Sequence, residues 1–213
     1  MAFVNREFLR WARICCLISM TWAASAGLWP RAADARTGKV VLSVVGDERM
    51  SSDLKELSED FQKQQPLSGD ALGILQGAQA IAAQFNTALR SRGFYDATIK
   101  ATIDGRPIAD ASALEALEAQ PDADQATVDI AVDTGPRYRI GSLAIRPPGT
   151  QQSLPGIDRA ELGITPGDPA DAAAIVAAQN KLLDELRKQG HALASIKDRE
   201  VIVDHATREA EVT

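Results

Sequence analysis

Cysteine is confined to Cys15 and Cys16 in a chain of 213 residues, so everything that follows is free of thiols. That long remainder can form no disulfide, ligate no zinc or iron–sulfur cluster through sulfur, and offer no cysteine nucleophile. Histidine is almost as scarce: His191 and His205 are the only two, too few for a typical zinc site and not paired on one helix face. No Gly-x-Ser-x-Gly elbow occurs, and neither imidazole sits beside a nucleophile in the sequence; both read as ordinary strand or surface histidines. Gly73 and Gly77 fall inside a helical pattern with no Lys-Ser or Lys-Thr after them, so close helix packing explains them better than a phosphate loop. Carboxylates abound at Glu56, Glu59, Asp60, Asp122 and Asp124, but they read as solvated acidic faces and not as a pair held across a cleft. The pattern is that of a protein without a catalytic site, and it implies no metal and no cofactor.

A long apolar run is missing too. Ile14 to Trp29 is shorter than the roughly 20 residues that span a bilayer and is diluted by Ser19, Thr21 and Ser25. Arg6, Arg10 and Arg13 precede it and Ala33-Asp34-Ala35 follows, with Ala24-Ser25-Ala26 as an earlier small-x-small site. Residues 1–35 are therefore expected to be a secretory signal peptide. Cys15 and Cys16 directly follow Arg13, without the apolar stretch that a lipoprotein cleavage site needs before its cysteine. Setting aside Arg6, Arg10, Arg13, Arg31, Glu7 and Asp34 leaves 19 basic and 27 acidic residues, a net of about −8, which should repel nucleic acid and anionic lipid.

What is present is a repeat. Leu89-Arg90-Ser91-Arg92-Gly93-Phe94-Tyr95-Asp96-Ala97-Thr98-Ile99-Lys100 aligns with Leu186-Arg187-Lys188-Gln189-Gly190-His191-Ala192-Leu193-Ala194-Ser195-Ile196-Lys197 at an offset of 97 residues. Upstream, Ala78, Ile81, Phe85 and Leu89 match Ile175, Ala178, Leu182 and Leu186 at the spacing of a helix's buried face. Gly93 and Gly190 stand just past these helices, where a left-handed residue ends a helix and costs any other residue about 1 kcal/mol or more.

The first module, 36–135, reads strand, helix, helix, strand, strand. Lys39 to Val45 is a β-branched run; Asp53 to Lys63 is a short helix with Ser52 as its cap and Leu54, Leu57 and Phe61 buried. After Gly93 the period switches to 2, with Tyr95, Ala97, Ile99, Ala101 and Ile103 inward, Tyr95 anchoring the helix end to the sheet. A second alternating run turns Ala126, Val128, Ile130 and Val132 inward. Asp104 to Asp124 lies between them as a surface excursion with one short helix over Ser112 to Gln120.

Gly135 and Pro136 form the turn between modules, a joint too short for wide swinging. The second module, 136–213, repeats the plan: a strand over 137–146 with a bulge near Gly141, a short helix from Asp158 with Glu161 as a capping-box partner, a long helix from Asp168-Pro169, and a strand from Ala192 to Asp204. Its last strand, Glu209 to Thr213, is short beside its counterpart and reads as truncated. The fold class is thus α+β: tandem β-α-α-β-β modules, each a three-stranded mixed sheet with two helices on one face.

The helix end from Leu89 to Tyr95, the segment Val132 to Gly141 and the helix end from Leu186 to Gly190 resemble POTRA domains of the outer-membrane protein assembly superfamily, most of all those of the autotransporter assembly barrel subunit. The resemblance covers roughly Gly38 to Thr213. It implies a periplasmic location, facing or attached to the outer membrane where a barrel follows. It also implies unfolded outer-membrane proteins or autotransporters as clients, and an inner-membrane-anchored or periplasmic assembly partner. It places the exposed edge on the second strand of each module, Asp96 to Asp104 and Ala192 to Asp204. Thr98, Lys100 and Thr102, with Ser195 and Lys197 in the second module, would then flank an incoming strand paired by β-augmentation. Gly93, Tyr95, Gly135, Pro136, Gly141 and Gly190 are the turn and hinge residues. The expected role is a non-catalytic docking platform. Its rivals are a free-standing periplasmic protein, a cell-wall accessory or small hydrolase with a polar cleft, and an inactive fragment of an assembly barrel protein.

Overall fold

A computed structural model describes residues 36–121, 125–147 and 159–213. The signal peptide read over residues 1–35 and the helix start at Asp158 lie outside the described residues. Arg36 to Thr213 is one unit that carries two mixed sheets, each with its own apolar core.

Strand β1 (Arg36–Val45) turns Val40, Leu42 and Val44 toward the first core and leaves the odd positions exposed, as a period of 2 requires. Helix α1 (Glu48–Gln64) starts earlier than Ser52 suggests, because Asp47 supplies the cap: its carboxylate accepts from the Met50 amide at 2.8 Å. Met50, buried in that first turn, anchors it, while Ser52 lies within the helix with its hydroxyl on the Glu48 carbonyl. Strand β2 (Ser68–Gly69) leads to helix α2 (Ala71–Ser91), capped by Asp70 on the Gly73 amide at 2.8 Å. Ile74, Ala78, Ile81, Phe85 and Leu89 form its fully buried stripe. Gly77 lets Leu67 in close, since a Cβ there would sit 2.2 Å from the Leu67 Cδ2.

Strands β3 (Thr98–Ile103) and β4 (Arg106–Pro107), helix α3 (Ala111–Ala119) and strand β5 (Gln125–Asp133) complete the first half. The sheet order is β2-β1-β5-β3-β4, with β5 parallel to β1 and antiparallel to β3. The three strands read from the sequence are the long ones. The sheet has five because two-residue strands that no periodicity could reveal pair onto the outer edges.

The second sheet contains β6 (Arg139–Leu143), β7 (Val201–Asp204) and β8 (Glu209–Val212) in the order β6-β8-β7, with a 3-10 turn over Arg159–Leu162 and helix α4 (Ala172–Lys188). In both sheets the last strand is central: β5 is parallel to β1 and antiparallel to β3, as β8 is parallel to β6 and antiparallel to β7. The β6–β8 register shifts between Ile140 and Ser142, at Gly141. Helix α4 is capped by Asp171, not Asp168: Asp168 and Ala170 run along β6, the Ile140 amide on the Asp168 carbonyl at 2.8 Å and the Ala170 amide on the Tyr138 carbonyl at 3.0 Å. That pairing holds the backbone extended for two residues and delays the helix. The strand expected from Ala192 is confined to Val201–Asp204, since residues 192–199 have no ladder partner among the described residues.

Candidate functional site

Among the described residues β1 is uncovered on its outer side beyond Gly38, and part of one side of β3 is open as well. Its other side pairs with β5 from Thr98 to Ile103, while β4 covers only Thr102 and Ile103. The Ala101 carbonyl points away from β5, because it accepts the Ile108 amide at 3.1 Å. By strand alternation the Ile99 amide and carbonyl point the same way, and among the described residues nothing pairs with them there. A groove of about 590 Å³ follows this edge, with Ala82, Ala83 and Asn86 of α2 on one wall, Ile99 and Lys100 on the other, and Pro107 to Ala109 at one end. The small alanines leave the space. Thr98 and Lys100 are exposed and Thr102 is half-buried, all three on the sheet face opposite the core.

Ser195 and Lys197 are placed differently. They lie in the irregular chain before β7, on the rim of a second, largely apolar groove of about 410 Å³ walled by Leu143, Ile145, Ile175, Leu182 and Ile196. They belong to no strand, so the structure does not bring them to an edge equivalent to Thr98 and Lys100.

The most concentrated polar chemistry is at the joint. Tyr138, fully buried, donates its hydroxyl to Asp96 Oδ2 at 2.7 Å; His205 Nδ1 lies 2.7 Å from Asp96 Oδ1 and 2.9 Å from the Tyr138 oxygen. The tyrosine has one proton and gives it to Asp96, so a hydrogen on Nδ1 directed at Oδ1 is the arrangement that leaves each contact attractive. The two hydrogen bonds, Tyr138 first and His205 second, hold the Asp96 carboxyl below its ordinary range. Burial, reinforced by the Asp96 carboxylate, pushes the Tyr138 phenol up to about 12. The Tyr138 ring meets Tyr95 edge-on at 5.3 Å and His205 at 5.8 Å. Tyr95 thus packs on the second core and not on the first sheet, and burial raises its phenol too. His205, read from the sequence as ordinary, is one of the three groups; its turn brings it 109 positions along the chain to Asp96.

An imidazole oriented by a carboxylate is a general-base arrangement wherever a substrate can reach it. Neither groove is lined by Asp96, Tyr138 or His205, and no described group of three or more His, Cys, Asp or Glu is placed to hold a metal ion. What the cluster does in this geometry is join segments.

A second polar cluster adjoins the same linker. Arg137 donates from Nε to the Arg92 carbonyl at 2.8 Å and pairs with Asp171 at 3.2 Å, its guanidinium 5.8 Å from the Phe94 ring centre. Arg92 reaches Asp53 at 3.2 Å and Asp171 at 3.5 Å. Gly93 has φ +86°, and its carbonyl takes the Tyr138 amide at 2.8 Å; Gly135 has φ +60° and lies against the Asp96 backbone. Pro136 is half-buried in the extended linker, Gly141 makes room for the Glu209 side chain, and Gly190, at φ +95°, has open space around it.

No protein-family model and no curated protein matches the chain. Among solved structures it is similar to the crystal structure of Haemophilus influenzae BamA POTRA3-5, at 20% identity over 87% of this chain and 67% of that one, with a TM-score of 0.39. No described helix is long and apolar enough to cross a membrane.

Proposed function

We propose that the chain is a non-catalytic docking platform in the periplasm that captures extended segments of outer-membrane proteins or autotransporters by pairing them with the open edge of β3, alongside an inner-membrane-anchored or periplasmic assembly partner. The observation that carries this reading is the pairing vacancy at Ile99 beside a groove walled by alanines. A strand laid there would gain main-chain hydrogen bonds from Ile99 and drop alternate side chains into the groove, which suits clients of varied sequence. Lys100 and Thr98 would flank its outward side chains. The sequence resemblance of Leu89 to Tyr95 and Val132 to Gly141 to POTRA domains supports the same reading, as does a leader of secretory pattern.

Amide exchange with a synthetic ten-residue peptide of alternating apolar and polar residues tests the mechanism. The Ile99 amide should become protected, and methylating every second peptide nitrogen should abolish that protection. Equal binding by the methylated peptide, or protection that avoids β3, would exclude strand pairing at this edge.

A further inference from the structure

The linker between the sheets is tied on both sides by groups distant in sequence. Tyr138 has its amide on Gly93 of the first half and its carbonyl on the Ala170 amide of the second. Its ring lies between Tyr95 and His205, and its hydroxyl ends on a carboxylate that also receives His205. A Cβ on Gly93 would come within 2.9 Å of the Ala170 carbonyl oxygen, so the two halves touch there backbone to backbone. Arg137 and Arg92 add a bridge from the end of α2 to the cap of α4 through Asp171, and Arg92 also reaches α1 through Asp53.

A linker meant to flex would keep its side chains solvated and its backbone unpaired. Here the aromatic at its centre is fully buried, and three residues from three separate segments converge on one point. We infer that Asp96, Tyr138 and His205 form a latch that locks the two sheets at one angle, so that the open edge of β3 and the second sheet are presented to a partner as a single rigid surface. The turn between β7 and β8 is the moving part of this latch: His205 lies in it, is largely exposed, and can leave Asp96 without unpacking either core. Loss of the His205 contact leaves Asp96 with Tyr138 as its one remaining partner in the latch, so the second sheet, Tyr138 with it, swings over a wider range about Gly135 and Pro136.

Pulsed electron–electron distance measurements on the full chain test this. Cys15→Ser and Cys16→Ser remove the two native thiols, and Glu59→Cys with Lys188→Cys, both exposed positions on α1 and α4, carry the labels. One narrow distance peak is expected, and His205→Ala and Asp96→Asn should each lose it in favour of a broad distribution, with the helical circular-dichroism signal unchanged. His191→Ala, at an exposed histidine outside the cluster, should keep the narrow peak. A broad distribution in the parent chain, or a peak equally narrow in both latch variants, would overturn the latch.

Discussion

The hydroxyl of Tyr138 donates to the carboxylate of Asp96 across 2.7 Å, joining a residue at the start of the second half to one placed just before β3 in the first. A buried phenol needs a partner, and this one found a carboxylate that is itself part-exposed. Removing the hydroxyl alone isolates that bond. Tyr138→Phe should lower stability by about 1 kcal/mol, the net worth of a typical hydrogen bond, and urea unfolding followed by far-ultraviolet circular dichroism should show it. No loss at all would mean that the aromatic packing carries the joint unaided.

Acid should weaken the same contact. Hydrogen bonds from Tyr138 and His205 lower the Asp96 pKa in the folded chain, so its stabilisation is complete above the ordinary carboxylate pKa and disappears as pH falls through the folded value. The titratable and charged groups acting at this point are Asp96, Tyr138, His205, Arg208 and Asp204, and Asp204 is lowered in its turn by the Ala206 amide. Melting temperature measured from about pH 5 to about pH 2 should therefore drop less in Asp96→Asn than in the parent chain. Parallel curves would show that the carboxylate contributes nothing in its ionised form.

The fold class and the long elements were readable because they repeat. Leu89 and Leu186 end their helices identically: the Phe94 amide bonds to the Leu89 carbonyl at 2.9 Å and the His191 amide to Leu186 at 3.0 Å, with left-handed glycines between. Helix starts were less readable, because Asp47, Ser52, Asp168 and Asp171 are all competent caps and tertiary pairing along β6 decided between the last two. The repeat suggested a strand from Ala192 to Asp204, yet a strand exists only where a neighbour supplies a ladder, whose hydrogen bonds begin at Glu200. The Tyr138 cluster was invisible to local pattern. Its one sequence clue was that an inward tyrosine at the head of a strand must place its hydroxyl somewhere.

Asp171 combines two roles that conservative substitution can separate. It caps α4 through the Ala173 and Ala174 amides and holds both Arg92 and Arg137. Asparagine caps about as well as aspartate, so Asp171→Asn should cost only the part-exposed ion pairs, about 1 kcal/mol, and the difference from the parent should shrink in high salt. Asp171→Ala should lose about 1 kcal/mol more at any ionic strength. Thermal melts at low and high salt distinguish the two, and equal losses would mean that the cap is unimportant here.

Gly93 and Gly190 occupy equivalent positions in the repeat and share a left-handed backbone, φ +86° and +95°, but their surroundings differ. A Cβ on Gly190 meets nothing within 4 Å, whereas on Gly93 it meets the Ala170 carbonyl oxygen at 2.9 Å. Alanine at either position carries the same conformational penalty, about 1–2 kcal/mol. At Gly93 it must also push back a backbone segment whose neighbouring amide is bonded to Tyr138, and such crowding adds about 1–3 kcal/mol. Gly93→Ala should therefore be the more destabilising of the two by denaturant unfolding, and the excess should shrink in a Tyr138→Phe background, where the joint is already loosened. If the two alanines cost the same, the halves are not pressed together at Gly93 in solution.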